Sequence, residues 1–236
     1  MDKLISKIKT NRSEEELMSF ASSYLGVLHG TFENLNLISS GLKNNLNLFY
    51  FSQVLDSIYP IIAKDENGNF SGSKIFLDAI KRSGVIIDVG FGGGFPLLPL
   101  AFILSENVQF IGIDSITKKV IAVKQIIEQL GFKSNITLLN ERVENFEIDR
   151  DVVIVFRAVG DIRGCLKKIK VINKNQNVWV FFYKGPNLYN KEGYKDIDEL
   201  KKSLAKKWDL VEEYKYATGQ NENLCERLFI GFKRKQ

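Results

Sequence analysis

The feature that most constrains the fold is an apolar segment that runs directly into a glycine-rich loop. Residues 85–89 are followed by four glycines within five residues, and then by Phe95 and Pro96. A short apolar run that is bounded by glycines predicts a buried strand. Pro96 predicts the start of a helix, because its fixed φ suits the first helical turn and its missing N–H costs nothing there. The segment therefore predicts a strand, a tight turn and a helix whose free N–H groups face a ligand.

The spacing of the glycines separates two classes of ligand. A dinucleotide-binding loop has the pattern G-x-G-x-x-G, but Phe95 occupies its third glycine position here. The chain has instead an acid followed by G-x-G-x-G, at Asp88, Gly90, Gly92 and Gly94. This pattern resembles the first motif of S-adenosylmethionine-dependent methyltransferases, in which close approach of the backbone to a zwitterionic ligand matters more than phosphate binding. The alternative is a glycine-rich structural turn, which four glycines after a buried strand disfavour.

Composition bounds the class of protein. With 236 residues, of which 44% are hydrophobic and 26% charged, the chain is expected to form one globular domain and a small extension. The N-terminus has no long apolar segment, and the apolar stretch at 95–104 contains two prolines and is too short to span a bilayer. The two cysteines and one histidine have no metal-binding spacing, so no metal site is expected. We therefore expect a cytoplasmic protein with free thiols and no membrane association.

The basic residues leave two interpretations open. The net charge is +5, and lysine and arginine occur in short clusters, for example at 167–170 and 233–235. Such clusters bind nucleic-acid phosphates in many proteins. They also occur on solvated helix faces and in basic tails, which is the interpretation that composition alone favours.

The pattern along the chain predicts a helical N-terminal extension at 1–82 and a second region at 83–236. A capping box at Ser13–Glu16 precedes an apolar stripe of helical spacing, and a second periodic stretch covers 46–62. Strands are then predicted at 85–89, 108–113, 136–140, 152–156 and 178–183. Helices are predicted at 96–104, 117–130, 161–171 and about 195–207, and a strand, a loop and a final strand at 210–217, 219–223 and 227–233. This alternation predicts an α/β fold with a mostly parallel sheet, helices on both faces and a terminal antiparallel hairpin.

Polar residues follow several of the predicted strands, at the edge where parallel sheets bind ligands. Asp114 and Ser115 follow the second strand, and an acid there can accept hydrogen bonds from ribose hydroxyls or cap the next helix. Arg157 ends the fourth strand, where it could face a ligand or pair with Glu144 or Asp161. Lys184 ends the fifth strand at the same edge.

Several motifs in order resemble one family, the bacterial small-subunit ribosomal RNA guanine-N7 methyltransferases (RsmG or GidB). The resemblance covers nearly the whole chain. The motifs are Asn-Leu-Asn-Leu-Ile-Ser at 34–39, Leu-Asp-Ser-Ile at 55–58, the glycine loop at 88–96, Asp-Ser-Ile-Thr-Lys-Lys at 114–119, Arg-Val-Glu at 142–144, Arg-Ala at 157–158, Lys-Gly at 184–185 and Glu-Arg at 226–227.

The resemblance implies a Rossmann-like class I methyltransferase with S-adenosylmethionine as cofactor, and it makes residues 83–236 the S-adenosylmethionine-binding methyltransferase domain. It implies methylation of guanine N7 in the 530-loop region of 16S ribosomal RNA, with the small ribosomal subunit as partner of a monomeric enzyme. The residues that it places around the cofactor are Gly90, Gly92, Gly94, Phe95, Asp114, Ser115, Ile116, Val143, Glu144 and Arg157. The candidates for contact with the RNA or the target base, and for catalysis, are Arg142, Arg157 and Lys184.

The chain departs from the family pattern at several positions. Ser52 and Gln53 replace an Arg-His pair, Phe91 replaces a small polar residue, Leu97 replaces a glycine and Leu228 replaces a histidine. Two other functions therefore stay open: a methyltransferase that acts on another acceptor, and a non-catalytic RNA-associated binding module. A nicotinamide oxidoreductase is disfavoured by Phe95.

Overall fold

The computed structural model describes residues 12–32, 35–104, 108–132, 135–219 and 224–236. Its strands are β1 (Val85–Val89), β2 (Gln109–Ile113), β3 (Ile136–Leu139), β4 (Glu147–Ile148), β5 (Val152–Arg157), β6 (Lys170–Val171), β7 (Val178–Lys184), β8 (Trp208–Thr218) and β9 (Cys225–Arg234). Seven of them form one sheet in the order β3-β2-β1-β5-β7-β9-β8. The first five of that order are parallel, while β9 runs antiparallel to β7 and β8. The predicted sheet and its terminal hairpin are confirmed.

Helices precede the sheet and connect its strands. They are α1 (Glu14–Thr31), α2 (Ser40–Lys43), α3 (Leu46–Phe49), a π-helix (Tyr50–Leu55), α4 (Asp56–Ile62), α5 (Lys74–Ser83), α6 (Leu97–Ile103), α7 (Thr117–Gln129), a 3₁₀ helix (Val143–Asn145), α8 (Ile162–Lys168), α9 (Leu188–Glu192) and α10 (Ile197–Leu204). None of the helices in the described ranges is long and apolar enough to cross a membrane.

The sheet is buried on both faces, as the apolar parallel strands predict. One face, which includes Phe110, Val153 and Phe181, packs against the N-terminal helices, α6 and α7. The other face, which includes Ile154 and Phe182, packs against α8 and α10. Helices on both faces are therefore confirmed.

Helix α1 begins where its sequence predicts. The Ser13 hydroxyl accepts from the Glu16 backbone N–H, and the Glu16 carboxylate accepts from the Ser13 N–H, which completes the predicted capping box. Every residue of the apolar stripe is buried: Leu17, Phe20, Ala21, Tyr24, Leu25 and Leu28. Because this stripe joins the same core as the sheet, the N-terminal helices pack directly on the second region. The division at residues 82 and 83 stays a prediction.

Several boundaries differ from the sequence-based expectation. Helix α6 begins one residue late, and Pro96 precedes it after a cis peptide bond. The predicted helix at 161–171 ends at Lys168, because β6 pairs with β4 as a separate two-stranded sheet. Helix α9 was not predicted, and it follows β7 directly. The N-terminal residues 1–11, Asn34 of the first family motif and residues 220–223 of the predicted terminal loop lie outside the described residues.

Candidate functional site

The predicted site residues after β1, β2, β5 and β7 lie at the carboxyl edge of the sheet. This is where parallel sheets bind ligands, because the loops that leave the strands converge there. The glycine loop follows β1, Asp114 follows β2, and Arg157 and Lys184 end β5 and β7. The edge thus brings together residues that are far apart in the sequence.

Backbone hydrogen bonds attach the glycine loop to the end of β2. The Gly90 N–H donates to the Ile113 carbonyl oxygen at 2.7 Å, and the Gly92 N–H donates to Asp114 Oδ2 at 3.1 Å. Asp114 Oδ1 accepts from the Ile116 N–H at 2.9 Å. Each carboxylate oxygen accepts a single one of these bonds, so lone pairs of the buried Asp114 carboxylate remain for a ligand.

The glycines of the loop serve two different purposes. A Cβ on Gly93 would lie 2.5 Å from the Leu37 carbonyl oxygen, and one on Gly94 would lie 2.6 Å from the Tyr24 hydroxyl oxygen. These two glycines therefore admit the N-terminal helices. A Cβ on Gly92 would have its nearest heavy atom, a loop carbonyl oxygen, at 3.8 Å. The open side of Gly92 is where a ligand can approach the backbone.

The aromatic residues of the loop point into the protein. Phe91 is buried, and Phe95 is buried against Tyr24 and Phe49, with ring centroids 5.0 Å and 5.6 Å away. The Tyr24 hydroxyl also donates to the Gly93 carbonyl oxygen. The N-terminal helices thus support the loop from behind, a contact that no local sequence pattern reveals. The predicted contact of Phe95 with a cofactor stays a prediction.

The Asp88 carboxylate near the end of β1 is fully buried, and only one of its two oxygens accepts a hydrogen bond from the described residues. Its Oδ2 accepts from the Leu97 N–H at 2.9 Å, while its Oδ1 has no hydrogen-bond partner in the described part of the chain. Burial raises the pKa of Asp88 to about 8, although the Leu97 N–H and the charge of Arg157 act in the opposite direction. An unpaired buried oxygen suits a ligand that brings a donor or a positive charge.

The other predicted cofactor residues flank Asp114. Ser115 is exposed, and Ile116 is 48% exposed, which leaves an apolar side chain at the surface. Asn140 links the ends of β2 and β3, because its side chain donates to the Asp114 carbonyl oxygen at 3.0 Å and accepts from the Thr117 hydroxyl at 2.7 Å. No sequence pattern around Asn140 predicts this link.

The Arg-Val-Glu motif lies after β3. Arg142 precedes the 3₁₀ helix, and Val143 is buried in the core on the α8 face of the sheet. The Glu144 carboxylate pairs with Lys168 at 3.3 Å on the surface. Its pKa is lowered chiefly by its own backbone N–H and also by Lys168. Glu144 is therefore not the partner of Arg157.

Arg157 is bound to the N-terminal helices. Its Nη2 lies 2.9 Å from Asp56 Oδ2, and its Nη1 donates to the Ser57 hydroxyl at 3.0 Å. It also donates to the carbonyl oxygens of Ser52 and Gln53, in the π-helix. The wide turn of a π-helix often occurs at functional sites, and here it turns two carbonyl groups toward one guanidinium. The suggested pairing of Arg157 with Glu144 or Asp161 is wrong.

Asp56 connects three elements through one carboxylate. Besides Arg157, it accepts from the Tyr216 hydroxyl at 2.9 Å and from Arg227 Nε at 3.1 Å, and its side chain is 2% exposed. The sequence placed Asp56 in a family motif without a role. An acid within an apolar stretch was the signal that could have identified it as a buried partner of a base.

Lys184 is held on the face of the sheet opposite to that of Arg157. Its Nζ donates to Glu192 Oε1 at 2.8 Å and to the Gly160 carbonyl oxygen at 2.7 Å. A cleft of about 530 Å³ lies at the ends of β5 and β7. Its charged lining residues are Asp56, Arg157, Asp161, Lys184, Lys191, Glu192 and Arg227.

One loop separates this cleft from the glycine loop. Ala158 and Gly160 line the cleft, and the Val159 side chain between them lies where a Cβ on Gly90 would be, with its Cγ2 at 2.5 Å. Ala158 has a φ of 56°, which is rare for a residue with a side chain. The two parts of the edge are therefore direct neighbours.

Comparison with known proteins assigns this chain to a family. The family model described as GidB, rRNA small subunit methyltransferase G, matches residues 18–225. Three relatives are called ribosomal RNA small subunit methyltransferase G. That of Prochlorococcus marinus (strain AS9601) is 38% identical over 122 residues, covering 48% of this chain and 46% of the relative. That of Christiangramia forsetii is 36% identical over 160 residues, covering 65% and 66%.

A third relative extends the match. The protein of Pediococcus pentosaceus is 26% identical over 181 residues, covering 74% of this chain and 67% of the relative. The chain spans about half the length of the Prochlorococcus relatives that it matches.

Proposed function

This chain belongs to the rRNA small subunit methyltransferase G family, and from that membership we propose that it transfers a methyl group from S-adenosylmethionine to N7 of a guanine in 16S ribosomal RNA. The observation that carries the proposal is the arrangement of the edge. An acid-and-glycine loop suited to a zwitterionic nucleoside lies beside a charged cleft, with a single loop between them. Methyl transfer needs this proximity, because donor and acceptor must meet in line.

The residues of the glycine loop and its neighbours fit the cofactor. The open side of Gly92 allows close approach to the backbone, and Asp114 has lone pairs for ribose hydroxyls. The unpaired Oδ1 of Asp88 suits a hydrogen-bonding group of the ligand, and the exposed Ile116 side chain suits its adenine ring. When bound, the cofactor supplies an activated methyl group.

For this reaction the main task of the protein is to position the donor and the acceptor. Guanine N7 has a free lone pair and loses no proton when it is methylated, so the reaction requires no general base. The base acquires a positive charge, which nearby carboxylates stabilise. Asp56 and Glu192 line the cleft but are already paired with basic side chains, so unpaired carboxylates or backbone carbonyl oxygens would have to supply that field. Arg142, Arg157 and Lys184 remain the candidates for contact with RNA.

The RNA must present a base that has left its stack. Chemistry on a base edge at the bottom of a cleft requires a splayed nucleotide. The basic clusters would then bind the flanking phosphates, which makes binding weaker at higher salt. The small ribosomal subunit as partner, the 530-loop region as target, a monomeric state and a cytoplasmic location stay predictions.

The direct test is methyl transfer from radiolabelled S-adenosylmethionine to small ribosomal subunits that lack the modification, followed by nucleoside analysis. We expect 7-methylguanosine in 16S ribosomal RNA, and no incorporation into subunits that already carry it. Calorimetry should detect cofactor binding without RNA. Binding without transfer would contradict the proposed acceptor and favour another substrate or a non-catalytic role. Absence of binding would contradict the cofactor assignment.

A further inference from the structure

The ion pair between Lys184 and Glu192 lies in the wall of the cleft. We propose that Glu192 is a positioning residue, which holds the Lys184 ammonium so that its one remaining N–H donates to an acceptor oxygen of the target nucleotide. The nucleotide part of this inference rests on the proposed function. The holding of Lys184 by Glu192 does not.

The geometry accounts for two of the three N–H bonds of the ammonium. Glu192 Oε1 accepts one at 2.8 Å, and the Gly160 carbonyl oxygen accepts another at 2.7 Å. The ammonium also lies 5.7 Å from the centroid of the Phe182 ring. A lysine ammonium has three N–H bonds and Lys184 lines the cleft, so within the part of the chain that the structure describes one donor is left for a ligand there.

Glu192 is itself fixed by a separate contact. Its Oε2 accepts from the Ile162 N–H at 2.9 Å, at the beginning of α8. One carboxylate therefore joins α9, the end of β7 and the start of α8, which are the segments on one side of the cleft. The two side chains are only 13% and 9% exposed, so solvent screens this pair far less than a surface ion pair.

Stability alone is a weak explanation for this arrangement. Desolvation of two buried charges offsets much of their attraction, so such a pair adds little to folding compared with apolar residues. A lysine side chain has four rotatable bonds, so a free Lys184 would point in many directions. Fixing it before the substrate arrives lowers the cost of ordering it in the reaction.

The functional test is a double-mutant cycle of Glu192→Gln and Lys184→Met in the methyl-transfer assay. Glu192→Gln keeps the shape and one acceptor oxygen, but it removes the charge. We expect kcat to fall about tenfold or more, as for a lost charge-assisted hydrogen bond, with the Kd for S-adenosylmethionine unchanged. In the Lys184→Met background, Glu192→Gln should cause no further loss, because Glu192 acts through Lys184. Glu147→Gln is the matched control, since its pair with Lys170 is half exposed.

A second measurement needs no activity. Limited acylation with an amine-reactive reagent, read by mass spectrometry, reports how accessible each lysine amine is and how readily it loses its proton, and an ion pair with Glu192 lowers both for Lys184. We expect Lys184 to react at least tenfold more slowly than Lys170 in the wild-type protein, and Glu192→Gln to raise its rate several-fold. The Lys170 rate should stay constant in that variant.

The outcomes separate this inference from the proposed function. If the wild-type protein transfers no methyl group to ribosomal RNA, the proposed function fails and the acylation rates still decide whether Glu192 holds Lys184. Unchanged acylation in Glu192→Gln overturns the inference. So does an additive loss of kcat in the double variant. If Glu192→Gln unfolds, Lys184→Met, which leaves the bond between Glu192 and Ile162 intact, must by itself lower kcat without changing cofactor affinity, and normal turnover overturns the inference.

Discussion

The two halves of the carboxyl edge are built in different ways. Around the glycine loop, the polar groups that face the site are backbone N–H groups and two carboxylates, and one oxygen of Asp88 has no partner among the described residues. Around the cleft, the polar groups are side chains that mostly already have partners. Asp56 alone accepts from two guanidinium groups and a tyrosine hydroxyl.

This difference has a physical meaning. A buried oxygen without a partner costs free energy until a ligand satisfies it, so the glycine-loop side is completed by binding. On the cleft side most of the charged groups are paired within the chain, so they are fixed before any ligand arrives. We infer that changes on the first side affect mainly ligand affinity, whereas changes on the second affect mainly folding and the orientation of charged groups.

The largest effect of a single substitution at constant pH is expected from Asp56→Asn on the cleft side. The substitution keeps the shape but removes the charge that balances Arg157 and Arg227, which are largely buried. Removing one member of a buried ion pair costs about 3–5 kcal/mol, because the remaining charges are left without compensation. Urea denaturation measures the loss of unfolding free energy.

Asp209→Asn is the matched control for that substitution. Asp209 pairs with Lys235 at 3.2 Å, but both side chains are well exposed. Exposed pairs contribute little, so this variant should have the wild-type denaturation midpoint. Equal stability of the Asp56 and Asp209 variants would contradict the idea that Asp56 organises the cleft.

The next largest effect is expected at Gly92, and it should differ in kind from the effect of a substitution at the neighbouring Gly93. Gly92→Asp places a carboxylate on the open side of the loop, beside Asp114, and should weaken S-adenosylmethionine binding about a hundredfold or more, because the side chain occupies the approach path of the ligand. Asp tolerates the left-handed φ of 56° at this position better than most residues, so the fold should survive. Calorimetry measures the affinity, and Gly92→Asn isolates the contribution of charge.

Gly93→Ala should lower the stability of the fold and not act on the ligand's approach path. Its Cβ would lie 2.5 Å from the Leu37 carbonyl oxygen, so the N-terminal helices must shift. Overpacking of this kind costs about 1–3 kcal/mol of unfolding free energy. A Gly93→Ala variant that keeps wild-type stability would show that this glycine is not there to admit the helices.

The same contrast explains how much the sequence could predict. The glycine loop, Asp114 and the sheet follow from contiguous patterns, since an apolar strand, a turn and a helix start lie next to each other in the chain. The partners of Arg157 and Lys184 do not, because Asp56 and Glu192 are chosen by tertiary packing and have no fixed spacing from them. The support of the glycine loop by Tyr24 is another contact that only the fold creates.

Asp88 offers a pH-dependent test of the glycine-loop side. Burial raises its pKa from 3.8 to about 8 in the folded protein, so the folded state keeps a proton that the unfolded state releases. The unfolding free energy should therefore fall as pH rises from about 4 to about 8, by at most about 1.4 kcal/mol per unit, and level off above that range. Asp88→Asn should flatten this slope. Denaturation at several pH values measures it, and an equally steep slope in the variant would refute the assignment to Asp88.

The smallest expected effect lies in the loop that joins the two halves. Ala158 has a φ of 56°, a left-handed conformation that costs a residue with a Cβ about 1–2 kcal/mol. Ala158→Gly relieves this strain but gives the unfolded chain more freedom, so a net gain of about 0.5–1 kcal/mol in unfolding free energy is expected. If the strain serves to hold the loop between glycine loop and cleft, the same variant should have a lower kcat with unchanged cofactor affinity. A more stable variant with wild-type kcat would mean that the loop is strained only by packing, and that the two halves are joined less tightly than their contact through Val159 suggests.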